Sequence, residues 1–284
     1  MTNHAGEKLT AHGLTREVLS RLDATPSPRL REVMHALVRH LHAFAIEVHL
    51  SDAEWYAGIR FLTETGRITD SVRQEWILLS DTLGLSSLVD LLNHSDVDSL
   101  ATEPTILGPF YVAGSPERRF GESMVEYDDG GEPAVLRGRV VDESGVPIVG
   151  ATVDVWQNAA TGYYAVQQPG VQPATNLRGC YTTDDSGRFV IPTVRPVPYP
   201  IPDDGPVGEL LKATGRHPWR AAHIHAKVSA AGFVDLTTHI FDRASKYLES
   251  DTVFGVKESL IEDFVPQADG VLACQHDFIL ARDD

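Results

Sequence analysis

The chain has 284 residues, of which 40 are Asp or Glu and 24 are Lys or Arg, for a formal net charge of −16. Nothing in it offers the basic stripe that nucleic acid or an anionic membrane surface would need. No apolar run approaches the ~20 residues of a membrane span, and none near Met1 reads as a signal peptide.

From about residue 14 to 92 the pattern is helical and poor in glycine. Leu30, Val33, Met34, Leu37, Val38 and Leu41 recur at three- and four-residue spacing, one face of an amphipathic helix, with Pro28 near its start. Ser51 and Glu54 form a capping-box pair that opens a second helix. Thr69-Asp70 opens a third, Ser71 to about Leu83, with Gly84 as its terminator. Leu88 to Leu92 is a fourth apolar stretch. His35, His42 and His49 recur every seven residues, roughly 10 Å apart along a helix axis, too far to chelate one ion. They read as surface or interface residues.

After residue 100 glycine and proline become frequent and alternation replaces helical spacing. Val135 to Val141, Ala151 to Trp156, Arg188 to Ile191, Ala222 to Val228, Val234 to Phe241 and Val271 to Leu280 read as strands, with turns at Glu143-Ser144-Gly145 and Asp184-Asp185-Ser186-Gly187. Short strands between turn signals suggest a β-sandwich. The predicted class is α+β: a helical part over 1–104, then a β-sandwich over 105–284. Two cysteines, Cys180 and Cys274, without zinc-type spacing, fit a reducing, cytoplasmic setting.

The chemistry concentrates in Arg220-Ala221-Ala222-His223-Ile224-His225. A His-x-His pair on a strand points both imidazoles to one side, so both can reach one metal ion. Tyr164 and Tyr199 stand in loops punctuated by glycine and proline. Two phenolates and two imidazoles suit a ferric ion, since phenolate oxygen is a hard anionic donor. With a bound hydroxide, two tyrosinates cancel the three positive charges, and a neutral centre can be buried. Singly, each of these residues is also an ordinary buried histidine or tyrosine of a β-structure.

Read in order, Gly150-Ala151-Thr152-Val153-Asp154-Val155-Trp156-Gln157-Asn158, Gly162-Tyr163-Tyr164, Asn176-Leu177-Arg178-Gly179, Pro198-Tyr199-Pro200-Ile201-Pro202 and Gly215-Arg216-His217-Pro218-Trp219-Arg220-Ala221-Ala222-His223-Ile224-His225 resemble the intradiol ring-cleaving dioxygenases. The resemblance covers nearly the whole chain, including Thr105 to Tyr111, which in that family joins the two parts. Within the family it is nearest to the hydroxyquinol 1,2-dioxygenases, through Val197 to Gly208, Trp219 and Thr237-Thr238-His239-Ile240-Phe241. His239 stands where catechol-cleaving members typically carry glutamine. Ala221 stands where the family usually has proline, a departure that softens the loop before the strand and puts the placement of Arg220 in question.

The resemblance implies one Fe(III) per subunit held by Tyr164, Tyr199, His223 and His225, with Tyr199 and His225 axial and Tyr199 displaced by substrate. It implies that dioxygen cleaves the bond between the two hydroxylated carbons of a small aromatic diol, leaving each of them a carboxylate. Arg220 would stabilise the developing negative charge, and His239 would hydrogen-bond substrate or peroxide. Leu78, Asp81, Leu107, Gly108, Pro109, Phe110 and Arg220 would line the substrate pocket, with Asp81 accepting a hydrogen bond from the third hydroxyl of hydroxyquinol (1,2,4-trihydroxybenzene). The product would be 3-hydroxy-cis,cis-muconate, which tautomerises to maleylacetate. The family also implies a homodimer through the N-terminal helices, with a lipid at the interface. Two other readings stay open: a catechol 1,2-dioxygenase giving cis,cis-muconate, and a non-catalytic transthyretin-like β-sandwich binding module, which Gly145 to Ala151 also suits.

Overall fold

A computed structural model describes residues 10–70, 73–94 and 99–283. The segment Met1 to His4, Ser71 and the terminal Asp284 lie outside the described residues. Among the described residues there are six helices: α1 (Ala11–Leu22), α2 (Pro28–Glu47), α3 (Asp52–Arg67), α4 (Glu75–Thr82), α5 (Leu85–His94) and α6 (Pro206–Ala213). The chain divides into two compact units, Met1–Glu64 and Thr65–Asp284.

In the first unit, the expected start signals carry the helices. Ser27 caps α2, its hydroxyl accepting from Leu30 N at 3.3 Å, with Pro28 at the first helical position. Ser51 and Glu54 form the reciprocal capping box at α3: Glu54 N donates to Ser51 Oγ at 3.3 Å and Ser51 N to Glu54 Oε2 at 2.9 Å. His42 is tied to Thr15 of α1 (Nδ1 to Oγ1, 3.0 Å), so it is a packing residue between two helices.

The third predicted helix is shorter than its pattern. Asp70 and Arg73 are bonded to each other, Asp70 Oδ1 accepting from Arg73 N at 2.7 Å and Asp70 N–H donating to Arg73 O at 2.9 Å. That local alternative to the helix delays α4 to Glu75. Gly84 ends it with φ +74°, a left-handed conformation that glycine adopts without steric cost, and its N–H donates to Asp81 O.

The second unit is a sandwich of two five-stranded sheets, with twelve strands among its described residues. One sheet uses β1 (Pro133–Asp142), β4 (Arg188–Val194), β10 (Val265–Pro266), β11 (Leu272–Gln275) and β12 (Phe278–Leu280). The other runs β3 (Arg178–Thr182), β2 (Thr152–Trp156), β7 (His223–Ser229), β8 (Leu236–Asp242), β9 (Ile261–Glu262) in spatial order. A separate ribbon pairs β5 (Tyr199–Pro200) with β6 (Trp219–Arg220). The core between the sheets takes Leu136, Val140, Phe189, Ile191, Cys274 and Phe278 from one side and Val153, Val155, Ile224, Ala226, Val228 and Ile240 from the other.

The stretch Val271 to Leu280, predicted as one strand, is two. β1 pairs with β11 through Ala134–Arg137 and with β12 through Val140–Asp142, and the chain steps outward at His276 between them. The step is possible because Gly138 has no side chain: a Cβ there would sit 1.7 Å from the carbonyl oxygen of His276.

Candidate metal centre

Side chains of a strand alternate between faces, so the strands that send Val153, Val155, Ile224, Ala226 and Ile240 into the core send their other residues outward. The register aligns those outward residues. Arg178 faces Trp156, Trp156 faces His225, and His225 faces His239, one row across four adjacent strands. His223 lies beside this row, opposite Phe241. Trp156 lies flat on the His225 ring, 4.7 Å between centroids and 9° between planes. This packing fixes the imidazole before any ligand arrives.

The two tyrosines reach the row from loops. Tyr164 is held at its backbone: its N–H donates to Gln167 Oε1 and its carbonyl accepts from Gln167 N, both at 2.9 Å. Phe110 stacks on its ring at 4.6 Å. Tyr199 is delivered by the loop after β4, which the amides of Gln157 and Asn158 hold by donating to Val194 O (3.0 Å) and Val197 O (2.9 Å). The Gln157-Asn158 pair of the motif therefore positions a site tyrosine from a distance.

The polar atoms converge. Tyr199 Oη and Tyr164 Oη are 3.5 Å apart, Tyr164 Oη and His225 Nε2 3.1 Å, and His225 Nε2 and His223 Nε2 3.1 Å. Donors set at right angles on bonds of about 2.1 Å, the length of metal–imidazole bonds, lie about 3 Å apart. His223 Nδ1 lies 2.7 Å from Ala221 O, and a carbonyl can only accept, so the lone pair of His223 is on Nε2, facing the cluster. All four side chains are buried. The donor set, two phenol oxygens and two imidazole nitrogens, fits iron.

Burial and the Arg220 charge hold the His223 pKa down at about 3, and burial, followed by the repulsion a second protonated imidazole at His223 would meet and by the Arg220 charge, holds that of His225 well below its usual value. Both rings are neutral, as ligands must be. Burial raises both tyrosine hydroxyls above their usual pKa. At Tyr199 the Arg220 guanidinium opposes that rise, whereas at Tyr164 the neighbouring Tyr199 adds to it. A metal ion is the charge that would release both protons.

Arg220 stands opposite Tyr199 in the β5–β6 ribbon. Its Nε donates to Asp251 Oδ1 at 2.9 Å, while one terminal nitrogen is buried without a protein partner. Burial pulls the guanidinium pKa down, but Asp251 and the two tyrosine hydroxyls raise it above its usual value, so the side chain is a fixed cation. Asp251 Oδ1 also accepts from Ala221 N at 3.0 Å, and Oδ2 from Gly255 N at 2.9 Å. The expectation that Ala221 softens this loop is overturned: the N–H that a proline would lack ties the loop to the carboxylate that holds Arg220.

Gly108 presents its backbone to His225, and a Cβ there would meet His225 Cε1 at 3.1 Å, so the connecting segment passes directly over that ring. Asp81 is buried, with Oδ1 lacking a partner. Burial raises its pKa, and the Ser86 hydroxyl and the Arg220 charge oppose that rise, which places Asp81 within electrostatic reach of Arg220. α4 is pinned at both ends. Glu75 accepts from Arg73 Nε (3.0 Å) and from Val207 N of α6 (3.1 Å), and Arg216 donates to Thr82 O at 2.5 Å. Leu78 is buried one turn before Asp81, while Leu107 and Pro109 are exposed.

Sequence reasoning missed Asp251, Trp156 as the partner of His225, and Thr105, whose hydroxyl lies 2.7 Å from His239 Nδ1. Asp251 stands 31 residues after Arg220 with no local signal. Trp156 does lie in a quoted motif, but its partner follows only from strand register.

Residues 106–282 match the family model described as "Dioxygenase", and residues 27–99 the model described as "Catechol dioxygenase N terminus". The 6-chlorohydroxyquinol 1,2-dioxygenase of Cupriavidus pinatubonensis is 49% identical over 95% of this chain and 96% of its own length. The hydroxyquinol 1,2-dioxygenase of a Rhizobium species is 48% identical over 93% of each chain. Among solved structures, hydroxyquinol 1,2-dioxygenase from Pseudomonas putida superposes with a TM-score of 0.91 at 45% identity, over 96% of this chain and 99% of the other. The chain belongs to the intradiol ring-cleavage dioxygenases, enzymes that open an aromatic diol with dioxygen. The reading of the fold as a non-catalytic binding module is set aside by this kinship.

Proposed function

We propose that the enzyme opens hydroxyquinol between its adjacent hydroxylated carbons, giving 3-hydroxy-cis,cis-muconate and hence maleylacetate. The observation that carries the reading is the convergence of Tyr164, Tyr199, His223 and His225 on one point, with polar atoms 3.1–3.5 Å apart. Relatives named for hydroxyquinol and 6-chlorohydroxyquinol cleavage, matched along almost their whole length, support the substrate class.

Tyr164, Tyr199, His223 and His225 would hold one ferric ion per chain. Bound there, a ferric ion would supply the Lewis acidity that makes a diolate ring carbon reactive toward dioxygen. The rest is done by the chain. Tyr199, set opposite the fixed guanidinium of Arg220, is placed to take a proton from the incoming diol. Arg220 supplies a preorganised positive charge where negative charge develops, held at no reorganisation cost by Asp251. His239 donates a hydrogen bond to an oxygen of the reacting pair. Phe110 and Trp156 pack against the ligand rings and keep water from them. Asp81, buried with a free oxygen, accepts from the third hydroxyl. A site that needs a hydroxyl rejects the diol lacking it more sharply than an apolar pocket would.

The decisive comparison is kcat/KM for hydroxyquinol and catechol on one preparation. Hydroxyquinol is expected to win, and Asp81→Ala to narrow the ratio about tenfold, the loss of one hydrogen bond to a carboxylate. Preference for catechol would overturn the substrate assignment. The single chain also leaves Leu30, Leu37, Leu41 and Phe44 of α2 exposed along one stripe. This stripe supports a homodimer through the N-terminal helices, expected in sedimentation as twice the chain mass.

A further inference from the structure

His239 lies against both histidine ligands of the proposed centre, with ring centroids 4.2 Å from His225 and 4.6 Å from His223. One nitrogen of each of these three rings lies within 4.8 Å of the other two, so a three-histidine metal set is geometrically open. Hydrogen bonding decides against it. A neutral imidazole has one N–H and one lone pair, and the partner of one nitrogen fixes the state of the other.

His239 Nδ1 is 2.7 Å from Thr105 Oγ1, and Nε2 is buried without a protein partner. Thr105 is itself fixed, its backbone N–H donating to Thr237 O at 2.8 Å, and its side chain is buried. Among the described residues, His239 Nδ1 is the one hydrogen-bond partner of the Thr105 hydroxyl. Were the proton on Nδ1, the threonine oxygen would accept it, and the buried hydroxyl hydrogen would have no acceptor in the protein. With the proton on Nε2, the hydroxyl donates to Nδ1 and only the Nε2–H is left, free for an oxygen of a bound ligand, whereas the other tautomer leaves both the hydroxyl hydrogen and the Nε2 lone pair without a protein partner.

His223 shows the opposite case 4.6 Å away: its Nδ1 meets the carbonyl of Ala221, which can only accept, and its Nε2 keeps the lone pair. A carbonyl partner makes a metal ligand, and a hydroxyl partner makes a hydrogen-bond donor.

We propose that Thr105 is a positioning residue that holds His239 as the Nε2–H tautomer, so that His239 donates to an oxygen of the bound diol or dioxygen and is not a metal ligand. The inference rests on the iron–diol reading of the site for the identity of the acceptor. It is tested with Thr105→Val, Thr105→Ser and His239→Leu, each purified from iron-supplied cells, by measuring iron per chain and kcat and KM for hydroxyquinol. Iron content is expected to match the parent in all three. In Thr105→Val kcat should fall about tenfold or more, the equivalent of one hydrogen bond lost where charge develops. KM should move much less. Thr105→Ser, which keeps the donor, should restore kcat to within about twofold of the parent.

Loss of iron in His239→Leu would make His239 a ligand and overturn the assignment. A Thr105→Val protein with full iron and parental kcat would overturn the role of Thr105. If the parent itself opens no diol, the functional reading fails instead, and the iron content of His239→Leu still decides whether His239 is a metal ligand. Should Thr105→Val not fold, Thr105→Ala takes its place in the same iron and kcat measurements, and parental kcat at full iron again overturns the role of Thr105.

Discussion

Val153, Val155, Ile224, Ala226 and Ile240 lie on the same strands as Trp156, His223, His225 and His239, displaced by one residue. The first set fills the core between two sheets, and the second forms the candidate centre on the other side of one of them. A sheet locked in register by its buried face cannot slip without turning every outward residue inward. The fixed placement of these histidines is therefore a consequence of core packing, and the core and the candidate centre lie on opposite faces of one sheet. The tyrosines and Arg220 are different: they come from loops and a two-residue ribbon, and rely on side-chain hydrogen bonds for their placement.

Substitutions on the two faces should therefore separate the two properties. His225→Ala or Tyr164→Phe should abolish iron binding and turnover while leaving the fold intact. The loss should exceed the roughly 10–100-fold cost of disturbing a metal's outer partners, measured as iron per chain, turnover and circular dichroism. Asp251→Asn leaves Arg220 buried without its counter-charge, and breaking such a pair costs about 3–5 kcal/mol. Urea denaturation should show that loss together with lowered kcat. Ile224→Ala, on the inner face, should cost about 2–5 kcal/mol with iron content and turnover per folded molecule unchanged. A large drop in turnover there would break the separation.

The smallest effect contrasts two carboxylates by pH. Burial raises the Asp251 pKa, but Arg220 and the Gly255 N–H outweigh it and the net shift is downward. Its stabilising contribution is thus present above the unfolded carboxyl value of about 3.9 and is lost as pH falls through the lower folded value. Asp81 is shifted upward by burial, so its ionisation destabilises the fold above the folded value and has no effect below the unfolded one. Asp81→Asn should accordingly raise the urea midpoint at pH 7 and leave it unchanged at pH 3, whereas Asp251→Asn should lower it at pH 7 and approach the parent in acid. A lower midpoint for Asp81→Asn at pH 7 would contradict the sign.

Local rules made much of this legible beforehand. The Ser51–Glu54 box, Pro28 and Gly84 marked helix ends, because caps are satisfied within a few residues. Alternation in Ala151 to Trp156 and in His223-Ile224-His225 marked strands and the direction of their side chains. What stayed hidden depends on partners distant in sequence. The row that aligns Arg178, Trp156, His225 and His239 follows from strand register, which alternation does not specify. Asp251 and Thr105 look like ordinary loop residues until the fold brings them to Arg220 and His239. The break at His276 depends on the close approach at Gly138.

The visible absorption spectrum of the protein purified from iron-supplied cells, taken with its iron content, tests the central claim most directly. Two tyrosinates on ferric iron should give a coloured protein with one iron per chain and a broad visible band, and adding hydroxyquinol without oxygen should shift that band. A colourless, iron-free protein, or a coloured one whose band survives Tyr164→Phe and Tyr199→Phe alike, would contradict it.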